Sequence, residues 1–199
     1  MIDRALTFIA SSLDGHLARR ADGQGPHAGI GALVDREGPV DPAIRAKVLV
    51  TLVNVERATN TSRSKSTFDL AESGETLVQT HSPIRLHLFT LMTATLDEGE
   101  PDNGYAAALA RLSATIAFLH AAEVMTRQTH PDLPEGIERL VFELVSLEQD
   151  AQARLWSTLG GGYLPSVLYR VRMVALPTAD ILATPSPIVR IGVNTTRRS

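Results

Sequence analysis

A chain of 199 residues with 44% apolar content suits one globular domain with short extensions. Its 19 Lys and Arg against 22 Asp and Glu leave a net charge of −3, so there is no basic excess to argue for nucleic-acid binding. The absence of cysteine excludes disulfides and thiolate metal sites, and no apolar run reaches the ~18 residues that a membrane span needs.

Ile2, Leu6, Ile9, Leu13 and Leu17 recur at helical spacing, so residues 2–19 predict an amphipathic helix. Asp3 in its first turn and Arg19 and Arg20 at its end complement the helix dipole. Asp3 and Arg4 also break any continuous apolar core, so this start does not read as a signal peptide. Residues 22–42 hold five glycines and three prolines, too many for regular structure throughout. Within them, Ile30 to Val34 reads as a short strand before a turn at 35–38. Ala46 to Val55 (AKVLVTLVNV) is nearly all β-branched or leucine, which predicts a strand buried on both faces. The Ser/Thr-rich stretch 57–82 predicts a long loop, a disordered tip by default that can order on contact. Pro83 restarts order, and residues 84–96 alternate as a long strand.

Asp102-Asn103-Gly104 signals a turn and a helix start. Tyr105, Ala108, Leu109, Leu112, Ile116 and Leu119 then predict the apolar stripe of a helix running to about residue 121. Val124 to Thr126 is at most a short strand, and Pro131 to Pro134 a loop. Glu138 to Ser146 alternates as a strand with one apolar face, and Glu148 to Leu159 has helix-favouring composition. The order predicts one α+β domain: a mostly antiparallel or mixed sheet with helices packed on one face. A doubly wound parallel sheet fits less well, because no helical pattern separates strands 46–55 and 83–97.

The stretch LWSTLGGGYLPSVLYRVRMV, ending at Val174, joins a helix end, a glycine stop, a rigid turn and a strand. Gly160, Gly161 and Gly162 follow a helix and lead into a strand, so they read as a C-cap and not as a phosphate loop. From Ser166 the period is two. Val167, Tyr169, Val171 and Met173 point one way, and Leu168, Arg170, Arg172 and Val174 the other. This stretch resembles a signature of the cap, or tail-terminator, proteins of phage-tail-like contractile injection systems of the antifeeding-prophage and virulence-cassette type. MIDRALTFIASSL, KVLVTLVNVER, SPIRLHLFTLMTATL, YAAALARLSATIAFLHA and IERLVFELVSL match in family order. The resemblance covers residues 1–176 and leaves 177–199 as a C-terminal extension.

What the resemblance implies is a structural protein and not an enzyme. It would form a homohexameric ring on the last ring of inner tube, contact the sheath and stop polymerisation. The implied partners are further copies of itself, the inner-tube protein and the sheath protein. The chain would be made in the cytoplasm and incorporated into the particle, with no cofactor. The residues agree in offering no catalytic constellation. His81 and His87 are the only two of the six histidines close in sequence, and their spacing suits no metal-ligand pair. Glu138, Glu143 and Glu148 sit where solvated strand positions fall. The competing reading is a small-molecule-binding or enzymatic α+β domain with a site on loops 21–45 and 58–82.

The interface candidates are Arg170 and Arg172 on the last strand, suited to planar pairing with acidic groups. Ile188, Val189, Arg190, Ile191 and Val193 join them, as a β-prone run held extended by Pro185 and Pro187. Trp156 and Tyr163 flank the glycine cap and are expected to pack across the helix–strand corner.

Overall fold

Alternation of period two and period 3.6 along the chain decides which residues meet. In a computed structural model, which describes residues 1–20, 26–33, 47–58, 67–70, 77–80, 83–96, 104–159 and 162–175, these elements follow one another: α1 (Ile2–Ala18), β1 (Ala28–Ile30), β2 (Val48–Arg57), β3 (Thr67–Leu70), β4 (Leu77–Thr80), β5 (Ile84–Ala94), α2 (Tyr105–Ala121), β6 (Val124–Thr126), β7 (Ile137–Val145), α3 (Gln149–Leu159) and β8 (Ser166–Ala175). Six strands make one mixed sheet in the order β1-β2-β5-β8-β7-β6. The β1–β2 pair is parallel and the other four pairings are antiparallel. The expected α+β class is the architecture adopted.

One face of the sheet carries the main core. Val50, Leu88, Met92, Leu140, Val171 and Met173 meet Ile9 and Leu13 of α1 and Leu119 of α2. Ile9 and Leu13 are fully buried, and burial of such a side chain stabilises by roughly 1.5–3 kcal/mol. The alternate residues Leu49, Leu91 and Leu168 point to the other face, where Trp156 of α3 and Leu33 form a second, smaller cluster. Two helices therefore share the main core, and α3 closes one end of the sheet from the other side.

Side-chain oxygens tie the margins down. The Asp14 carboxylate accepts from the backbone N–H groups of His27 at 2.5 Å and Ala28 at 2.9 Å, which anchors β1 to α1. Thr95 Oγ1 accepts from Lys47 N–H at 2.9 Å and donates to the Lys47 carbonyl at 3.0 Å.

Several elements differ from the sequence-based expectation. The first strand starts at Ala28 and not at Ile30, because Asp14 fixes the backbone there while Ile30 is half exposed. β2 is buried on both faces only over Val48–Thr51, and Asn54 to Arg57 are exposed beyond a register shift at Leu52/Asn54. The stretch 57–82 contains the β3–β4 hairpin. In α2, Ala108 and Leu119 face the core with Thr115, whereas Tyr105, Leu109 and Ile116 are exposed. The α3 helix ends at Leu159 as the glycines require, although Gly160 and Gly161 themselves lie outside the described residues.

Candidate functional site

The register of the three central strands lines up side chains in rows on the face that α1 and α2 leave open. Arg85, Val174 and Arg139 form one row; His87, Arg172 and Val141 the next; Phe89, Arg170 and Glu143 the third. A fourth row, Leu91, Leu168 and Val145, belongs to the cluster under α3. Among the described residues no helix covers the first three rows. On β2, Glu56 stands opposite His87 and Asn54 opposite Phe89, and the Asn54 amide donates to Glu56 at 3.1 Å. Four guanidinium groups thus share this face with two carboxylates, in a chain whose net charge is negative. Arg85, His87, Arg139 and Arg172 line a depression of about 220 Å³.

Glu143 organises the centre. Arg170 donates to its Oε2 through Nε at 2.8 Å and Nη2 at 2.5 Å, and Arg172 Nε approaches Oε1 at 2.6 Å. The two arginine side chains are 42% and 51% exposed, and Glu143 is 25% exposed. Such pairs contribute little to stability at this exposure, roughly 0–1 kcal/mol. What they supply is position, since the rigid guanidinium fork holds each arginine upright on the strand. One carboxylate serves two cations, so positive charge remains to be presented. Arg85 and Arg139 have no ion-pair partner among the described residues.

The predicted candidates divide as follows. Arg170 and Arg172 both lie on this open face, and pair within the chain through Glu143. Glu143 is therefore a paired residue and not a solvated strand position. Ile188, Val189, Arg190, Ile191 and Val193 lie outside the described residues. Trp156 is buried and meets the Tyr163 ring edge-on at 5.7 Å, but Tyr163 is itself 62% exposed. His87 stands on the arginine face as a strand residue, and His81 lies outside the described residues. Sequence reasoning missed Arg85 and Arg139. Their signal was the same period-two alternation that singled out Arg170 and Arg172.

The arrangement can hold anionic groups but offers no pairing of nucleophile and base. No cluster of three or more His, Asp or Glu able to hold a metal exists among the described residues. Among them, too, no helix is long and apolar enough to cross a membrane. His16 lies away from this face, stacked on Phe118 with centroids 4.7 Å apart. Burial lowers its pKa from the ordinary value, and the nearby Arg20 and Arg19 charges add to the effect.

No curated protein matches the sequence. Among solved structures, the PVC sheath/tube terminator of an extracellular contractile injection system, in its extended state, is similar with a TM-score of 0.52. That match has 15% identity and covers 96% of this chain and 64% of the other. The tube-terminating cap of the anti-feeding prophage is similar with a TM-score of 0.48 and 13% identity, over 77% of this chain and 52% of that one. The chain therefore spans between about half and two thirds of the length of those two proteins. Residues 9–190 match the Pvc16 N-terminal domain family, a span that takes in most of α1 and every later element. By that match over nearly its whole length, the chain belongs to the Pvc16 N-terminal domain family.

Proposed function

We propose that the protein is a terminator cap of a contractile injection system. It forms a homohexameric ring that seats on the last ring of inner tube, touches the sheath and ends polymerisation. The observation that carries this reading is membership of the Pvc16 N-terminal domain family. It is supported by a fold shared over 96% of this chain with a sheath/tube terminator. The physics fits. Subunits that add to a growing end but offer no matching upper surface close an assembly that would otherwise extend. Such a role calls for interfaces and not for a catalytic pocket, so we read the protein as non-enzymatic. It is synthesised in the cytoplasm and incorporated into the contractile particle.

Residues 1–176 form the body of each subunit, and 177–199 extend from it. Ile188, Val189, Arg190, Ile191 and Val193 add as a strand to a neighbouring sheet edge. The β1 and β6 edges are the available docking sites, because strand addition satisfies otherwise solvated backbone groups. The decisive experiment is deletion of the gene, with electron microscopy of the resulting particles. Tails of irregular length or unstable sheaths are expected, and uniform tails of normal length would sink the reading. Truncation after Pro187 tests the added strand: unchanged ring formation and incorporation would reduce that segment to a tail.

A further inference from the structure

We propose that the depression among Arg85, Arg139 and Arg172 receives side-chain carboxylates from an acidic, extended segment of a partner protein. The contact does not depend on the cap reading, and losing it would leave that reading standing.

Arg85 on β5 and Arg139 on β7 both stand opposite Val174 of β8. Two strand spacings separate their backbones, about 9.5 Å. Both side chains line one depression of about 220 Å³, and Val174, 8% exposed, lines it between them. Arg172 and His87 line it from the next row along the strands. Among the described residues, Arg85 and Arg139 have no ion-pair partner. Arg172 approaches Glu143 through Nε, so its terminal N–H groups remain to be presented.

The neighbouring row shows what such arginines take up. There Arg170 donates twice to the Glu143 carboxylate, and Arg172 approaches its other oxygen. The row of Arg85 and Arg139 repeats the guanidinium groups without a carboxylate. Guanidinium and carboxylate match in shape as well as in charge, so a carboxylate entering there gains bidentate, charge-assisted hydrogen bonds. Successive rows are ~6.8 Å apart, two residues of strand at ~3.4 Å each. Side chains i and i+2 on one face of an extended chain have the same spacing. Alternate acidic residues of a segment running along β8 therefore meet the Arg85–Arg139 row and then Arg172.

A nucleic acid fits this face less well. Glu143 and Glu56 lie on it, and the chain carries a net charge of −3, all of which repel a long phosphate backbone. A short segment over β8 stays two strands away from Glu56 on β2 and meets the guanidinium groups first.

The test uses the full-length chain and a fluorescein-labelled synthetic peptide of alternating glutamate and serine, with binding read by fluorescence anisotropy. A peptide with glutamine in place of glutamate is the control. The unaltered chain should bind the acidic peptide saturably, more weakly as salt is raised, and should not bind the glutamine peptide. Arg85→Glu with Arg139→Glu should weaken binding at least tenfold, and Arg85→Gln with Arg139→Gln at least threefold. Arg4→Glu with Arg20→Glu makes the same change in net charge as the first pair, at the two ends of α1, which packs on the opposite face of the sheet. That variant should bind within twofold of the unaltered chain. Thermal unfolding checks that each variant is folded, and the glutamine pair carries the test if charge reversal disturbs the fold. The proposal is overturned if the unaltered chain fails to bind the acidic peptide, if a folded face variant binds it normally, or if the α1 variant loses as much. Inorganic phosphate that displaces the peptide at equal concentration also overturns it, and makes the depression a site for a small anion. A single-stranded oligonucleotide held more tightly than the peptide overturns it as well, and assigns the face to nucleic acid.

Discussion

One carboxylate, Glu143, holds two guanidinium groups in place, and its value to the fold is small because all three side chains remain partly exposed. Glu143→Gln is expected to cost about 1 kcal/mol or less in urea unfolding at low salt. The difference should fade as salt is raised, since exposed pairs are screened. His16 makes a second residue-scale case. Its Nε2 is buried without a hydrogen-bond partner among the described residues, and burial together with Arg20 and Arg19 opposes the imidazolium. Its folded pKa therefore lies below the unfolded value of about 6.5. As pH falls through that unfolded value, the unfolded chain takes up a proton that the folded chain resists, and stability drops. His16→Phe should flatten that part of the profile between roughly pH 7 and 5, measured as the unfolding midpoint against pH. An unaltered slope would show that His16 is not the group responsible. At this scale, Arg170 and Arg172 were legible from alternation within their own strand. Glu143 was not identified as their partner, because only the β7–β8 register brings it across from Arg170.

Among the elements, α2 separates what periodicity can tell from what it cannot. Its bounds were legible, from the helix start signalled by Asp102-Asn103-Gly104 to the end near residue 121. Its buried face was not, because Tyr105, Leu109 and Ile116 on the outside are as apolar as the residues inside. When a helix is apolar nearly all round, the spacing of its residues no longer selects one side. Unfolding experiments can read the difference. Leu119→Ala, at a fully buried site, should cost ~2–5 kcal/mol, whereas Leu109→Ala should cost less than about 0.5 kcal/mol in the monomer. Equal costs would mean that the helix is turned differently. The β3–β4 hairpin was hidden for another reason. Its four-residue strands sit in a Ser/Thr-rich stretch whose composition reads as loop, and too few apolar residues alternate for a pattern to form.

For the molecule as a whole, strand identities were legible but their spatial order was less so. Absence of a helical pattern between β2 and β5 argued against a doubly wound parallel sheet, and the two strands pair antiparallel. Nothing local announced that β8 lies between β5 and β7, since pairing partners such as Ile84 and Ala175 are remote in sequence. That central position governs the order of events during synthesis. Until β8 has left the ribosome, β1-β2-β5 and β7-β6 are two unconnected half-sheets, each with a long bare edge. Contacts of such large sequence separation form slowly, on a millisecond-to-second scale. A fragment of residues 1–159 should accordingly lack a cooperative unfolding transition, checked by circular dichroism during heating, and should aggregate as open edges do. A sharp transition in that fragment would show that the half-sheets are stable without their keystone. The keystone strand is also the one that carries Arg170 and Arg172. A translation product that stops early thus has neither the joined six-stranded sheet nor the full arginine face, so an unfinished subunit lacks the surface that a finished one presents.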